Sequence, residues 1–301
     1  MKRFFTSCSL ALLAGLGVSG AAFGDYVNGG SLLTPAVSAS AETLVLNGVV
    51  RDFKTSHPDF ESYPYSYNRV LDKLDDYGRP VLDVPFHLSQ VAAGTQSVQS
   101  AASFSQWFRD DPTGTVSKTL GYRIELEKVA GRPGIYRYAR EGLDPFFPID
   151  GKGWGTTPAV EDGAALVWPS LDGLEHNFHF TYELSTLFTY TDPSARDING
   201  NGVLGEAFVD ANNPGDGLFL EFTGDDDVFV FINGQLVVDL GGVHEPQAGE
   251  VNVDDWADSL GLKSGDTCVL KLFFAERHTG TSNFRMETTI LLATEAMASY
   301  D

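Results

Sequence analysis

The run Val228-Phe229-Val230-Phe231-Ile232, followed by Asn233-Gly234 and then Gln235-Leu236-Val237-Val238, decides the fold class. Two apolar runs rich in β-branched and aromatic residues, separated by Asn-Gly, predict a β-hairpin, because both residues of a two-residue type I′ turn take positive φ. Further runs of strand length lie on either side: Leu120–Leu126, Phe178–Tyr182, Leu218–Phe222, Leu236–Leu240, Val269–Phe274 and Phe284–Leu292. Gly, Pro, Asn and Asp clusters punctuate them. In the last run Phe284, Met286, Thr288, Ile290 and Leu292 share one face, with Arg285, Glu287 and Thr289 opposite, which is the period of a strand with one face in a core. Helix signals are few. Ser103–Phe108 carries Ser103 and Gln106 at capping-box spacing, Asp254–Leu260 stops at Gly261, and Asn68–Asp76 is a third candidate. The expected fold is all-β, an antiparallel β-sandwich with a few short helices as covers.

Composition agrees. The 301 residues include 32 Gly and 3 Met, which suits turn-rich β structure better than a helical bundle. With 41 Asp and Glu against 20 Lys and Arg, the net charge is −21, so phosphate-rich partners are repelled and cations are the expected small partners. Nucleic acid and an anionic membrane are excluded on that ground. Lys2 and Arg3, an apolar run from Leu10 to Val18 and small residues up to Gly24 predict a secretory signal over residues 1–24 and hence a secreted or cell-surface protein. The apolar run is too short to span a bilayer, so no membrane insertion is expected. Residues 25–45 read as a leader segment and 46–295 as one domain, with an insertion at 191–217. Beyond the signal, Cys268 is the single cysteine, set in an apolar run that marks it as a buried strand residue.

Three polar clusters carry candidate chemistry. Gly224-Asp225-Asp226-Asp227 sets three adjacent carboxylates between two apolar strands, a costly arrangement unless a cation or several N–H donors neutralise them. A hard cation such as Ca²⁺, which takes six to eight oxygens, is one answer, and a solvated turn with an Asx bond is the other. Asp197, Asn199 and Asn201, with Gly202 next, open like a Ca²⁺ loop, but Phe208 stands where the closing Glu belongs. Glu206 or Asp210 is left to complete a second metal loop, against the alternative of a polar surface turn. In Glu276–Asn283, Glu276 and His278 have the types for acid–base work, Glu276 and Asn283 those for cation ligation, and Glu276 with Arg277 those for an ion pair. His176 and His179 fall on opposite faces of an expected strand, and Trp154 and Trp256 read as core or cover residues before sugar-stacking ones.

Nucleophile elbows, phosphate loops, dinucleotide fingerprints and zinc-protease motifs are all missing from the sequence, and no enzyme is expected. A glycan hydrolase remains only because 41 acids always supply some carboxylate pair.

The run Phe222–Gly234, followed by Asp239-Leu240-Gly241-Gly242-Val243-His244, closely resembles the fibro-slime domain of bacterial surface proteins. Arg51-Asp52-Phe53, His57-Pro58-Asp59-Phe60, Gln106–Asp110, Phe146–Gly151, His176–Thr181, Phe273–His278 and Ser282–Arg285 fit the same pattern in order, over roughly residues 46–292. That family is similar to the sugar-binding domain of the anthrax protective antigen and of yeast adhesins, a β-sandwich. The resemblance implies a pair of consecutive Asp joined by a cis peptide, here Asp225 and Asp226, that holds Ca²⁺ with a second loop against sugar hydroxyls. Glu276–Asn283 is the candidate for that loop. Asp227, where many relatives have Gly, and the insertion are departures. The expected function is a secreted, calcium-binding, non-catalytic adhesion or carbohydrate-binding module whose partner is a glycan or cell-surface polysaccharide. A self-assembling structural subunit of an extracellular matrix or slime is the alternative.

Overall fold

The computed structural model describes residues 41–61, 66–132, 134–154, 160–161, 164–165, 167–197, 202–205 and 217–293. The expected signal, most of the leader and part of the insertion lie outside them. Ten strands form the main sheet: β1 (Thr43–Phe53), β2 (Ser117–Lys128), β3 (Tyr136–Arg140), β4 (Phe180–Thr189), β5 (Phe219–Asp225), β6 (Asp227–Ile232), β7 (Gln235–Leu240), β8 (Gln247–Asn252), β9 (Thr267–Glu276) and β10 (Asn283–Thr288). Their order is β7-β6-β9-β4-β1-β2-β3-β10-β5-β8, with every neighbouring pair antiparallel. The all-β reading therefore stands, and strand formation begins at Thr43, inside the segment read as leader.

The sheet folds into two layers. β1 and β2 pair along their whole length, whereas β2 meets β3 only where Glu127 faces Arg137 and Lys128 faces Tyr136. The sheet turns its corner there. At the far ends β8 returns against β7: a Cβ on Gly249 would sit 2.7 Å from Val238 Cγ1. Between the layers lies one apolar core, in which Phe274 of β9 meets Phe222 of β5 and Phe284 of β10 at ring-centroid distances of 6.1 and 5.4 Å.

A second core explains the uninterrupted apolar run of β6. Val228, Val230 and Ile232 point into the sandwich, while Phe229 and Phe231, with Phe273 and Ala275 of β9, are covered from outside by Val70, Leu82, Val98, Phe104, Trp107 and Phe108. A strand buried on both faces has no polar face to show. Asn233 (φ 50°) and Gly234 (φ 78°) make the expected turn into β7.

The helices differ from expectation in three places. Residues 68–76 form turns and bridges, Val70 to Leu82 and Lys73 to Gln235, because their apolar side chains pack at the rim of the second core. The capping box is at Ser100 and Ser103, three residues before the expected one, since Ser103 Oγ donates to the buried Asp59 and so serves as N3 of α2 (Ala101–Phe104). A helix not expected, α1 (Val84–Ala93), is capped by Asp83 and ended by Gly94. α3 (Val253–Leu260) ends at Gly261 (φ 65°) as its sequence required. Cys268 is a buried residue of β9, and Trp256 packs against the main core. Among the described residues no helix is long and apolar enough to cross a membrane.

Candidate functional site

Two crossings between the layers run side by side at one end of the sandwich. β5 belongs to the layer of β10 and β3, whereas β6 lies beside β9 in the other, so the chain changes layer at Asp225-Asp226. The second crossing, 277–282, leads from β9 back to β10. Asp225 stands opposite Asn283, and Asp227 opposite Ala275, so the two changes of layer are in register. The Asp225–Asp226 peptide bond is cis, as the resemblance implied.

The crossings bring Asp225, Asp226, Glu276 and Asn283 together. Asp225 Oδ1 accepts from the Asn283 backbone N–H at 2.6 Å, and the Asn283 amide donates to Oδ2 at 2.9 Å. Thr281 Oγ1 donates to Oδ2 at 3.3 Å. Asp226 Oδ1 and Oδ2 accept from the backbone N–H groups of His244 (3.3 Å) and Arg277 (3.0 Å). Glu276 is 1% exposed; its Oε1 is approached by the His278 N–H at 3.4 Å, and its Oε2 has no well-formed hydrogen bond, the neighbouring Ser282 hydroxyl only opposing the rise of its pKa. Burial lifts Asp225 to about 6 against the pull of its Asn283 donors. It lifts Asp226 and Glu276 well above the carboxylate range; Arg277 opposes this at Asp226, while the neighbouring acids add to it at both.

Asp227 stands apart from this group. Its side chain accepts from Asn68 Nδ2 (2.8 Å), the Gly242 N–H (2.6 Å) and Arg277 Nε (2.5 Å). The ion pair of Arg277 is thus with Asp227, not with Glu276 as one reading of the sequence had it. The guanidinium also donates to the Asp59 and Ser97 carbonyls and lies 4.7 Å from the Trp107 ring. The Gly241-Gly242 pair serves the same junction: a Cβ on Gly241 would sit 1.9 Å from Asn68 Oδ1, so only glycine lets that segment approach.

With the neighbouring guanidinium committed to Asp227, burial and mutual repulsion favour the protonated forms of Asp225, Asp226 and Glu276, and a nearby cation is what would favour their ionised forms. The available ligand atoms are all oxygens, which suits a hard cation, and the buried Glu276 Oε2 is a nearby acceptor that such a charge would stabilise. Among the described residues no three His, Cys, Asp or Glu side chains converge as a metal cage. A cation here would therefore draw on Asp225 and Asp226 together with amide or backbone oxygens. The Asn283 oxygen accepts from the Gly142 N–H at 3.1 Å, so Asn283 as placed orients Asp225.

The other sequence candidates lie elsewhere. Asp197 Oδ2 accepts from the Gly202 N–H at 2.8 Å within an exposed turn, and Asn199, Asn201 and Glu206 lie outside the described residues. His176 sits between Asp150 and Asp172, and His179 faces Glu61 at 3.2 Å, in separate surroundings. Sequence reasoning passed over Thr281 and Gly142, whose donors flank the site, and Glu61, whose carboxylate accepts from the Thr279 N–H at 2.5 Å and so ties down the second crossing.

Fold and site together define a two-layer antiparallel β protein with a carboxylate-rich junction at one end. No family model matches the chain. It is 33% identical to the protein psiR of Dictyostelium discoideum over 257 residues, and 31% identical to psiQ of the same organism over 257 residues, covering 84% of this chain in each case. The chain spans 22% of the length of either relative. Among solved structures it is similar to the PA14 domain of the antifreeze protein MpAFP (9% identity, 85% of this chain and 95% of that one, TM-score 0.27) and to a PA14 sugar-binding domain from an RTX adhesin (10%, 83% and 99%, TM-score 0.27). A β-glucosidase of Kluyveromyces marxianus matches over 40% of this chain at TM-score 0.20.

Proposed function

We propose that the chain is a secreted, Ca²⁺-dependent, non-catalytic module that binds glycans and serves adhesion, in the manner its fibro-slime-like motifs imply. The observation that carries this reading is the buried Glu276 Oε2, without a well-formed hydrogen bond, beside Asp225 and Asp226. A divalent cation favours the ionised forms of these acids and keeps open coordination positions for vicinal hydroxyls of a sugar. Asp225 and Asp226 hold the ion, Glu276 balances its charge, and Asn283 and Thr281 fix the Asp225 carboxylate.

The test is the thermal midpoint of the protein in excess EDTA and across a Ca²⁺ titration, with Mg²⁺ as control. A saturable, Ca²⁺-selective rise, about 2.7 kcal/mol of stabilisation at a hundredfold excess over Kd, is expected, and Asp226→Asn removes it. Binding on a glycan array that needs Ca²⁺ and is lost in the same variant completes the case. Absence of any shift refutes the metal, and a shift without glycan binding moves the reading to a structural matrix subunit.

A further inference from the structure

The hairpin 168–176 belongs to neither layer of the main sheet. Its short strands, Trp168–Pro169 and Glu175–His176, pair with Trp168 opposite His176, and the Ser170 N–H donates to the Leu174 carbonyl at 2.8 Å to close the turn. The tip buries little: Leu171 is 74% and Leu174 62% exposed. An element with so few buried apolar contacts is held by what happens at its base. There the Trp168 ring meets the His179 ring edge-on at 4.5 Å, Ser170 Oγ donates to the Gly280 carbonyl of the second crossing at 3.2 Å, and His176 is buried.

Both ring nitrogens of His176 face carboxylates, Nδ1 that of Asp150 and Nε2 that of Asp172, the latter at 2.8 Å. A neutral imidazole has one N–H and one lone pair, so it serves one carboxylate and turns its lone pair on the other. Only the imidazolium donates to both. The acids are themselves fixed, Asp150 by the Asn177 N–H at 3.0 Å and Asp172 by the Leu174 N–H at 2.9 Å. The Phe147 ring lies flat on the imidazole, 4.0 Å away with 10° between the planes, and brings no charge. Burial opposes the proton on His176, but the two acids outweigh it and raise the group above its ordinary 6.5. Other ionisable groups lie close along the chain: Glu175 is exposed, Asp52 at about 7 accepts from the Asn177 amide, and Glu61 bonds His179.

We propose that His176 is a proton-operated catch: as the imidazolium it locks the hairpin 168–176 against Asp150, and with it Ser170 against the second crossing, and on losing its proton it releases the hairpin. Below about pH 6.5 the ring is charged whether the hairpin is closed or open, and the catch is fully engaged. As pH rises through the higher value of the closed state, the ring loses a donor and one aspartate meets a lone pair. No part of the catch draws on the cation junction, so it stands apart from the Ca²⁺ reading.

Two measurements on the full chain in excess EDTA, between pH 6 and pH 9, test this. Ring nitrogen chemical shifts follow the protonation of His176. Hydrogen exchange of residues 168–176, corrected for the pH dependence of intrinsic exchange, follows the opening of the hairpin. Both ring nitrogens are expected to carry protons at pH 6 and to titrate above 6.5. Protection of the hairpin falls over the same range, about tenfold for each pH unit by which that titration exceeds the ordinary value, while β9 keeps its protection. Asp150→Asn lowers the titration and shrinks the fall in step. His176→Gln gives a hairpin already open at pH 6 and indifferent to pH, and Asp52→Asn leaves the fall unchanged. A titration at or below the ordinary value, protection that is flat in pH, a fall out of step with the titration, an unmoved titration in Asp150→Asn or a fall that vanishes in Asp52→Asn each overturns the proposal.

Discussion

Arg277 Nε donates to Asp227 Oδ2 across 2.5 Å, with both side chains out of solvent. This one contact joins the inner end of β6, the second crossing and the outer cover, because the same guanidinium holds the Asp59 and Ser97 carbonyls. Removing one partner strands a buried charge. Asp227→Ala or Arg277→Met is expected to cost about 3–5 kcal/mol, whereas an apolar replacement of both is expected to cost less than the two single changes added together. Urea unfolding midpoints of the two single variants and the pair measure this. A single variant within about 0.5 kcal/mol of the parent would show that the pair carries no such weight.

Asp59 anchors the cover from the other side. It accepts from Trp107 Nε1 at 2.9 Å, Ser103 Oγ at 3.0 Å and the Gln99 N–H at 2.6 Å. Asp59→Ala leaves the buried Trp107 Nε1–H without its acceptor, at about 1–3 kcal/mol for a buried group left without a partner. Loosening of the second core around Trp107 accompanies the loss. Tryptophan emission at longer wavelength in the native state, together with a lower thermal midpoint, is the expected signature.

The hairpin turn offers a test free of packing. A Cβ on Gly234 would meet nothing within 4 Å, yet its φ is 78°. Gly234→Ala therefore costs only backbone conformation, about 1 kcal/mol. A denaturation midpoint that falls by an amount matching a few kcal/mol or more would show a steric contribution that the geometry lacks.

Acidic groups buried at neutral pH set the pH dependence of the metal-free protein. Burial holds Asp52 at about 7 and Asp225 and Asp239 at about 6, against 3.8 for an exposed Asp. Between about pH 4 and 6 the native state keeps protons that the unfolded chain has released, so stability falls as pH rises, by up to about 1.4 kcal/mol per pH unit for each such group. Among groups shifted downward, Glu287 beside Arg137 and Arg285 acts below about pH 4.5, whereas burial lowers His57 and His179 from 6.5 and these oppose the acids within the window, so the net fall is smaller than the acids alone would give. In EDTA the thermal midpoint is expected to be higher at pH 5 than at pH 7.5, and Asp52→Asn is expected to flatten the slope. A midpoint that rises over this interval contradicts the assignment.

How much of this was legible in the sequence depended on how local the cause was. The Asn233-Gly234 hairpin, the Gly261 stop of α3 and the strand runs are fixed by backbone preferences within a few residues, and the structure follows them. Residues 68–76 and Ser103 took other roles because distant partners outweighed local propensity: Leu82 and Gln235 in the first case, Asp59 in the second. The run Val228–Ile232 announced a strand but not its second buried face, since the residues covering it lie over a hundred positions earlier. At the junction, the acids were visible as types. That Asp227 turns toward Arg277 while Asp225 and Asp226 turn toward the second crossing follows from the change of layer between β5 and β6, which no spacing encodes.

Calcium and protons compete for the junction. Asp225 stands at about 6 and Asp226 and Glu276 higher in the metal-free protein, so a cation that binds their ionised forms must displace protons. Calcium affinity is therefore expected to rise from pH 5 to pH 7, with proton uptake by the buffer in calorimetry wherever Asp225 is still protonated. The apparent Kd falls by up to about tenfold per pH unit for each proton released, which is the same linkage that lowers metal-free stability over that interval. Calcium should consequently offset the alkaline loss of stability, bringing the midpoints at pH 5 and pH 7.5 closer together than in EDTA. Titrations in two buffers of different ionisation enthalpy count the protons. An affinity that is flat across this range, with no proton release, would place the ion away from Asp225, Asp226 and Glu276.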